Sequence, residues 1–282
     1  MKKIHIIGLG LLGGSFALAV RKANPELEIT GFDSNRANLD EALGLQLITK
    51  ELEVPDHDTD IVILATPVDT LFALLESTLN QVGEQTLVMD LGSTKDQLCR
   101  QMTQHPKRAQ YLAVHPIAGT ENSGPKAAQE DLFDGKVLII CEMEKTDVLL
   151  KGMAYEIFDA MNLRLRFMDP KEHDLHLAYV SHLSHATSFV LGKTVLDKTK
   201  DEKNILDMAG SGFTSTVRLA KSSPEMWAPI FLENKTNILG ALDSYIEHLT
   251  QFREMIASED SERLKADMKE ANKIREILDF KE

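Results

Sequence analysis

The chain has 282 residues, enough for two domains of ordinary size. Its 44 acidic and 31 basic residues give a formal net charge of −13, which argues against a general nucleic-acid or membrane-surface binder. A composition of 43% hydrophobic and 27% charged residues suits a folded core and excludes a disordered chain. Two cysteines, Cys99 and Cys141, are too few for a disulfide framework and lack any metal-ligand spacing. The opening MKKIHIIGLG has the basic start and apolar run of a signal peptide. Glycines interrupt that run and a helical pattern follows directly, so it reads as a strand. No stretch of about 18 apolar residues is present. The expectation is a cytoplasmic protein of a reducing compartment, with no membrane segment.

In chain order, short runs rich in Ile, Val and Leu fall at 3–8, 28–32, 60–65, 86–90, 111–115, 137–141 and 164–168. Such runs predict strands buried on both faces. Helical patterns separate most of them, at 13–22, 36–43, 69–81, 95–104 and 146–160. Alternation of this kind predicts βαβ units and an α/β, doubly wound, parallel sheet over residues 1–169. After Asp169-Pro170 no convincing strand recurs, and 170–282 reads as an all-α domain. There Ile238, Leu242, Tyr245, Leu249, Phe252 and Ile256 step by four and three residues in turn. This stripe is either a core face of its own domain or a helix packed across a dimer interface.

The first strand runs into Gly8-Leu9-Gly10-Leu11-Leu12-Gly13, which opens a helix, and Asp33 lies 20 residues past Gly13 at the end of the second strand. A bare GxGxxG is weak, but in this setting it is a dinucleotide-binding fingerprint. Gly8 permits the tight turn, Gly10 the approach of a pyrophosphate, and Gly13 close packing of helix on strand. Free N–H groups of the helix start, including the Leu11–Leu12 turn, favour an anion there. Asp33 suits both adenosine ribose hydroxyls and repels a 2′-phosphate, which points to NAD as cofactor. Arg36 is the residue that could serve a 2′-phosphate instead. Thr66-Pro67 and Gly92-Ser93-Thr94-Lys95 follow later strands, at the sheet edge where such ligands bind.

His115 ends an apolar strand and begins His115-Pro116-Ile117-Ala118-Gly119-Thr120-Glu121. A neutral imidazole beside the cofactor crevice suits a general base for alcohol oxidation, and Ser93 on the neighbouring strand end could orient it. His182 and His185 share a helix face, and His173 and His176 repeat the spacing. No Asp, Glu or Cys joins His182 and His185 at a helical step, which argues against a metal. Arg218 follows the glycine-rich Gly210-Ser211-Gly212 and can fork two N–H groups onto a carboxylate. Its alternative is a surface ion pair.

Taken together, the glycine turn, ATPV at 65–68, GSTK at 92–95, HPIAGTENSG at 115–124, SHLSH at 181–185 and GSGFTSTVR at 210–218 resemble the prephenate and arogenate dehydrogenase family. The resemblance implies NAD-dependent oxidative decarboxylation of a cyclohexadienol dicarboxylate, with tyrosine biosynthesis as its setting. It implies that His115 takes the ring hydroxyl proton and that Ser93 orients His115 and touches the nicotinamide side. It also implies that Arg218 binds a carboxylate, and that Thr120, His185 and His182 line the pocket. A homodimer through the C-terminal helices belongs to the same implication. Prephenate and arogenate remain alternative substrates, and a non-catalytic NAD sensor of the same fold is the alternative outside enzymes. Two departures stand out: Thr214-Ser215 where the family often has Arg-Asp, and Ser184 where its HLPH has proline.

Both proposed ligands are anions, although the chain is acidic. The longest segments without Asp or Glu are 1–25, 97–120, 175–196 and 208–224, and they hold the glycine turn, His115, the His182–His185 pair and Arg218. The expectation is that the negative charge sits away from the crevice.

Overall fold

The computed structural model describes residues 1–202 and 204–279. Two compact units emerge, Met1–Lys235 and Thr236–Glu282. The first is built on eight strands: β1 (Lys3–Ile7), β2 (Glu28–Phe32), β3 (Lys50–Glu51), β4 (Ile61–Leu64), β5 (Leu87–Asp90), β6 (Tyr111–Pro116), β7 (Val137–Cys141) and β8 (Arg164–Met168). They form one sheet in the order β3-β2-β1-β4-β5-β6-β7-β8. The order runs outward in both directions from the β1–β4 neighbours, the doubly wound arrangement with its ligand crevice at the strands' carboxyl ends.

The crossovers are α1 (Leu11–Ala23), α2 (Arg36–Gly44), α3 (Val68–Gln81), α4 (Asp96–Met102) and α5 (Val148–Ala160). Fully buried Ile4, Ile6, Ile29, Ile61 and Ile63 pack with Phe16 and Val20 of α1 on one face. Val62, Leu64 and Val88 pack with Leu71, Leu75 and Leu79 of α3 on the other. Burial on both sides is why these strands carry no alternation.

One expectation is corrected. β7 runs antiparallel to β6, with His115 opposite Ile139, whereas every other neighbouring pair is parallel. No crossover α-helix lies between residues 116 and 137. Without one to carry the chain back along the sheet, the next strand enters from the same end. The two-residue edge strand β3 was also not expected. The basic-apolar opening forms β1, paired on both sides.

After β8 the first unit continues as α6 (Pro170–Leu177), a π-helical turn (Ala178–His182), α7 (Leu183–Lys198), α8 (Ser211–Thr216) and α9 (Pro224–Glu233). Asp169 caps α6, accepting from Lys171 N at 2.8 Å, and Pro170 occupies the first turn. Leu177 joins the sheet's second core cluster, so this segment packs with the strand domain. The second unit consists of α10, which begins at Lys235 and ends at Ala257, α11 (Ser261–Ala271) and α12 (Ile274–Asp279). Of the apolar stripe, Ile238 is buried, whereas Tyr245, Leu249 and Ile256 are exposed. No helix among the described residues is long and apolar enough to cross a membrane.

Candidate active site

The glycine turn is shaped by its neighbours at two positions and by none at a third. Gly8 has φ +92°, and a Cβ there would stand 2.5 Å from the Ala65 carbonyl oxygen; one on Gly13 would stand 1.9 Å from the Gly8 oxygen. Gly10 caps α1, and a Cβ on it would meet nothing within 4 Å. Protein packing therefore does not demand a glycine at Gly10, but a ligand approaching the backbone does. The α1 N-terminus has no side-chain cap and no acid in its first turn, leaving its N–H groups to an anion. Leu11 and Leu12 are half-buried and hold this turn against the core.

Asp33 is fixed at the end of β2 by the Leu9 and Asn35 N–H groups, both at 2.9 Å, with lone pairs left for ribose hydroxyls. Arg36 is held by Asp40 at 2.7 Å and Glu51 at 3.0 Å. Both partners are carboxylates on an exposed side chain, and they add negative charge beside Asp33. Thr66 and Pro67 follow β4, where the Thr66 hydroxyl accepts from Thr70 at 3.0 Å. Ser93 follows β5 and is half-buried.

His115 lies at the end of β6, 8% exposed. Its Nδ1 stands 2.8 Å from His173 Nε2, and His173 Nδ1 stands 2.7 Å from Asp174 Oδ1. Asp174 also accepts from Lys95 N at 2.8 Å and Asp96 N at 2.9 Å, tying α6 to the start of α4. Beneath them Lys95 and Asp90, both fully buried, form an ion pair. Tyr111 donates to Asp90 at 2.7 Å, and Gly92 N donates to it at 3.0 Å. Every charge in this network has partners, which a buried pair requires. Burial, followed by the charges of His173, Lys95 and His182, pushes His115 well below its ordinary pKa. It is therefore a neutral, proton-accepting imidazole at neutral pH.

Arg218, 52% exposed, meets Glu121 of the loop after β6 at 3.3 Å. Thr120 precedes that glutamate, and its hydroxyl accepts from Asn122 N at 3.2 Å. His185 Nδ1–H donates to the Ser181 carbonyl oxygen, 3.0 Å away, and the ring stacks on Trp227 with centroids 3.5 Å apart. The Trp227 indole N–H is buried without a hydrogen-bond partner among the described residues, a donor a ligand can satisfy. His182 is fully enclosed, receives an Asn234 N–H at 3.1 Å on Nδ1, and is lowered to about 4 by burial.

Several sequence expectations change here. Ser93 is not the group on His115 Nδ1; His173 holds that position. The sequence offers His173 only as a spacing partner of His176, yet His173 is buried and His176 exposed. Carboxylates are not kept away from the site: Asp90, Asp174 and Glu121 all stand in it, each matched by cations or N–H groups. Asp174 borders the acid-free segment 175–196 without lying in it, and Lys95 lies in none of the four. Trp227 is the only tryptophan of the chain, and that alone was the available signal.

Two family models match the chain in succession. Residues 16–166 match the family model for the prephenate dehydrogenase nucleotide-binding domain, and 169–270 that for the prephenate dehydrogenase dimerization domain. The prephenate dehydrogenase of Bacillus subtilis is 32% identical over 99% of this chain and 76% of its own length. The cyclohexadienyl dehydrogenase of Zymomonas mobilis is 29% identical over 98% of this chain and 96% of its own. The crystal structure of prephenate dehydrogenase from A. aeolicus in complex with hydroxyphenyl propionate and NAD+ has a TM-score of 0.89 at 31% identity, covering 99% of this chain and 98% of that one. With the glycine cradle, the buried strand-end imidazole and both domain models in sequence, the chain belongs to the prephenate dehydrogenase family of NAD-dependent oxidoreductases.

Proposed function

We propose that this protein converts prephenate to 4-hydroxyphenylpyruvate and CO2 with NAD, as a step of tyrosine biosynthesis. The observation that carries this reading is the neutral, buried His115 at the carboxyl edge of a sheet whose glycine turn fits a dinucleotide. Gly8, Gly10, Gly13, the Leu11–Leu12 turn, Asp33, Thr66, Pro67 and Ser93 hold NAD in this reading. When bound, NAD accepts a hydride from the hydroxyl-bearing ring carbon.

His115 receives the hydroxyl proton as that carbon is oxidised. Loss of the ring carboxylate as CO2 leaves its electron pair in the ring, which becomes aromatic. The ring oxygen then recovers the proton from His115, so the residue acts first as base and then as acid. Arg218 binds a substrate carboxylate, releasing or sharing Glu121. Thr120 and His185 line the pocket, and His182 completes it from behind. Purified protein with NAD and prephenate is expected to yield NADH and 4-hydroxyphenylpyruvate; absence of turnover with prephenate overturns the reading, and turnover of arogenate alone would replace it with the arogenate reaction.

In the same proposal the chain divides functionally near 169/170 and works in the cytoplasm as a homodimer. Support for the dimer comes from the apolar residues Tyr245, Ile246, Leu249 and Ile256 left exposed on α10. Sedimentation at twice the chain mass is expected, and a monomer at micromolar concentration contradicts it.

A further inference from the structure

His173 and Asp174 have no part in the reaction as proposed above, yet His173 bonds His115 and Asp174 bonds His173. We propose that they are positioning residues that fix the His115 imidazole in the tautomer protonated on Nδ1, leaving a bare Nε2 to receive the substrate proton. The role of that nitrogen rests on the reaction proposed above; the tautomer is a property of the chain alone.

An ionised carboxylate only accepts hydrogen bonds, and Asp174 accepts from two backbone N–H groups, Lys95 and Asp96, at 2.8 and 2.9 Å. The 2.7 Å contact with His173 Nδ1 therefore places the His173 proton on Nδ1. Burial keeps His173 neutral despite the favourable charge of Asp174, so its Nε2 carries a lone pair. A 2.8 Å contact between that lone pair and His115 Nδ1 requires the proton to be on His115. Once His115 Nδ1 is a donor, Nε2 is the acceptor. His173 is fully buried, which shields these bonds from bulk water.

The same chain serves the step in which His115 becomes charged. The substrate O–H bond breaks and its proton joins Nε2, while the Nδ1 proton stays in its bond to His173. The imidazolium is then stabilised through His173 by the Asp174 carboxylate, and no second proton has to move. The other charged or titratable groups around His115 are Lys95 with Asp90, from β5 and the loop before α4, and His182 from the π-helical turn. These remain unchanged in the variants below.

Histidine ring 15N spectra report the tautomer directly, and His115→Asn identifies the His115 signals. Wild type at pH 7.5 is expected to show His115 protonated on Nδ1. His173→Leu, which removes the acceptor, is expected to lose the single tautomer and lower kcat by about tenfold or more, with prephenate KM within about threefold. The acid limb of its kcat/KM profile should move to lower pH, because Nε2 is less basic without Asp174 behind it. His173→Gln retains an acceptor for His115 and a donor for Asp174, so it should recover part of kcat. A wild-type His115 protonated on Nε2 overturns the proposal, as does His173→Leu with kcat within about threefold and an unmoved acid limb. Should His173→Leu fail to fold, the wild-type spectrum still decides. The spectrum needs no substrate, so the expected tautomer in a protein inactive on prephenate would count against the reaction and leave the positioning intact.

Discussion

The groups behind His115 and those around Arg218 differ in how much water they keep. Behind His115, Asp90, Lys95, His173 and Asp174 are buried and joined by hydrogen bonds that use nearly every lone pair and proton. Around Arg218 a half-exposed guanidinium meets one carboxylate across 3.3 Å, at the surface. The buried side cannot reorganise cheaply, so it suits proton chemistry that needs fixed geometry. The exposed side can exchange Glu121 for a substrate carboxylate at small cost, because a surface ion pair contributes about 0–1 kcal/mol.

Substitutions on the two sides should therefore fail differently. His115→Asn keeps the size but removes the base; kcat is expected to fall about 10²–10⁴-fold with NAD affinity unchanged, measured by steady-state kinetics and cofactor titration. A fall under about threefold would remove His115 from its role.

Acid should strike the buried side next. His182 is held at about 4 in the folded chain against 6.5 for an unperturbed histidine. The folded state thus binds fewer protons than the unfolded state between those values. Stability from this group is complete above pH 6.5 and is lost as pH falls toward 4, by about 3 kcal/mol. His5, also buried and lowered to about 4, acts in the same direction. Urea midpoints at pH 7.5, 5.5 and 4.5 should fall steadily, and His182→Gln should flatten the slope.

On the exposed side Arg218→Gln should leave kcat nearly intact and raise prephenate KM about 10- to 100-fold, the loss of a charge-assisted contact. An unchanged KM would make the arginine structural. The smallest effect is expected from Glu121→Gln: a KM change under about fivefold that shrinks further at high salt. A large, salt-independent effect would show that Arg218 depends on Glu121 as strongly as His115 depends on its buried partners.

Much of this was legible before folding. The seven longer strands, the glycine turn with Asp33, and His115 at a strand end all follow from local patterns, because burial on both faces and tight turns leave local signatures. The antiparallel direction of β7 was not legible, because a strand buried on both faces shows the same apolar run in either direction. His173 was not legible. It lies 58 residues from His115, and only the docking of α6 against the start of α4 makes them neighbours. Its spacing to His176 suggested a shared helix face, whereas the first packs inward and the second faces solvent. The short edge strand β3 has too few residues to show a period. Stacking of Trp227 on His185 likewise joins residues that no spacing rule connects.

The central claim is that oxidation and decarboxylation occur together at His115, and prephenate labelled in its ring carboxyl tests it most directly. Released CO2 should match NADH one for one at every time point, and both should vanish together in His115→Asn. NADH formed without labelled CO2, or no NADH at all from prephenate and NAD, would contradict the account.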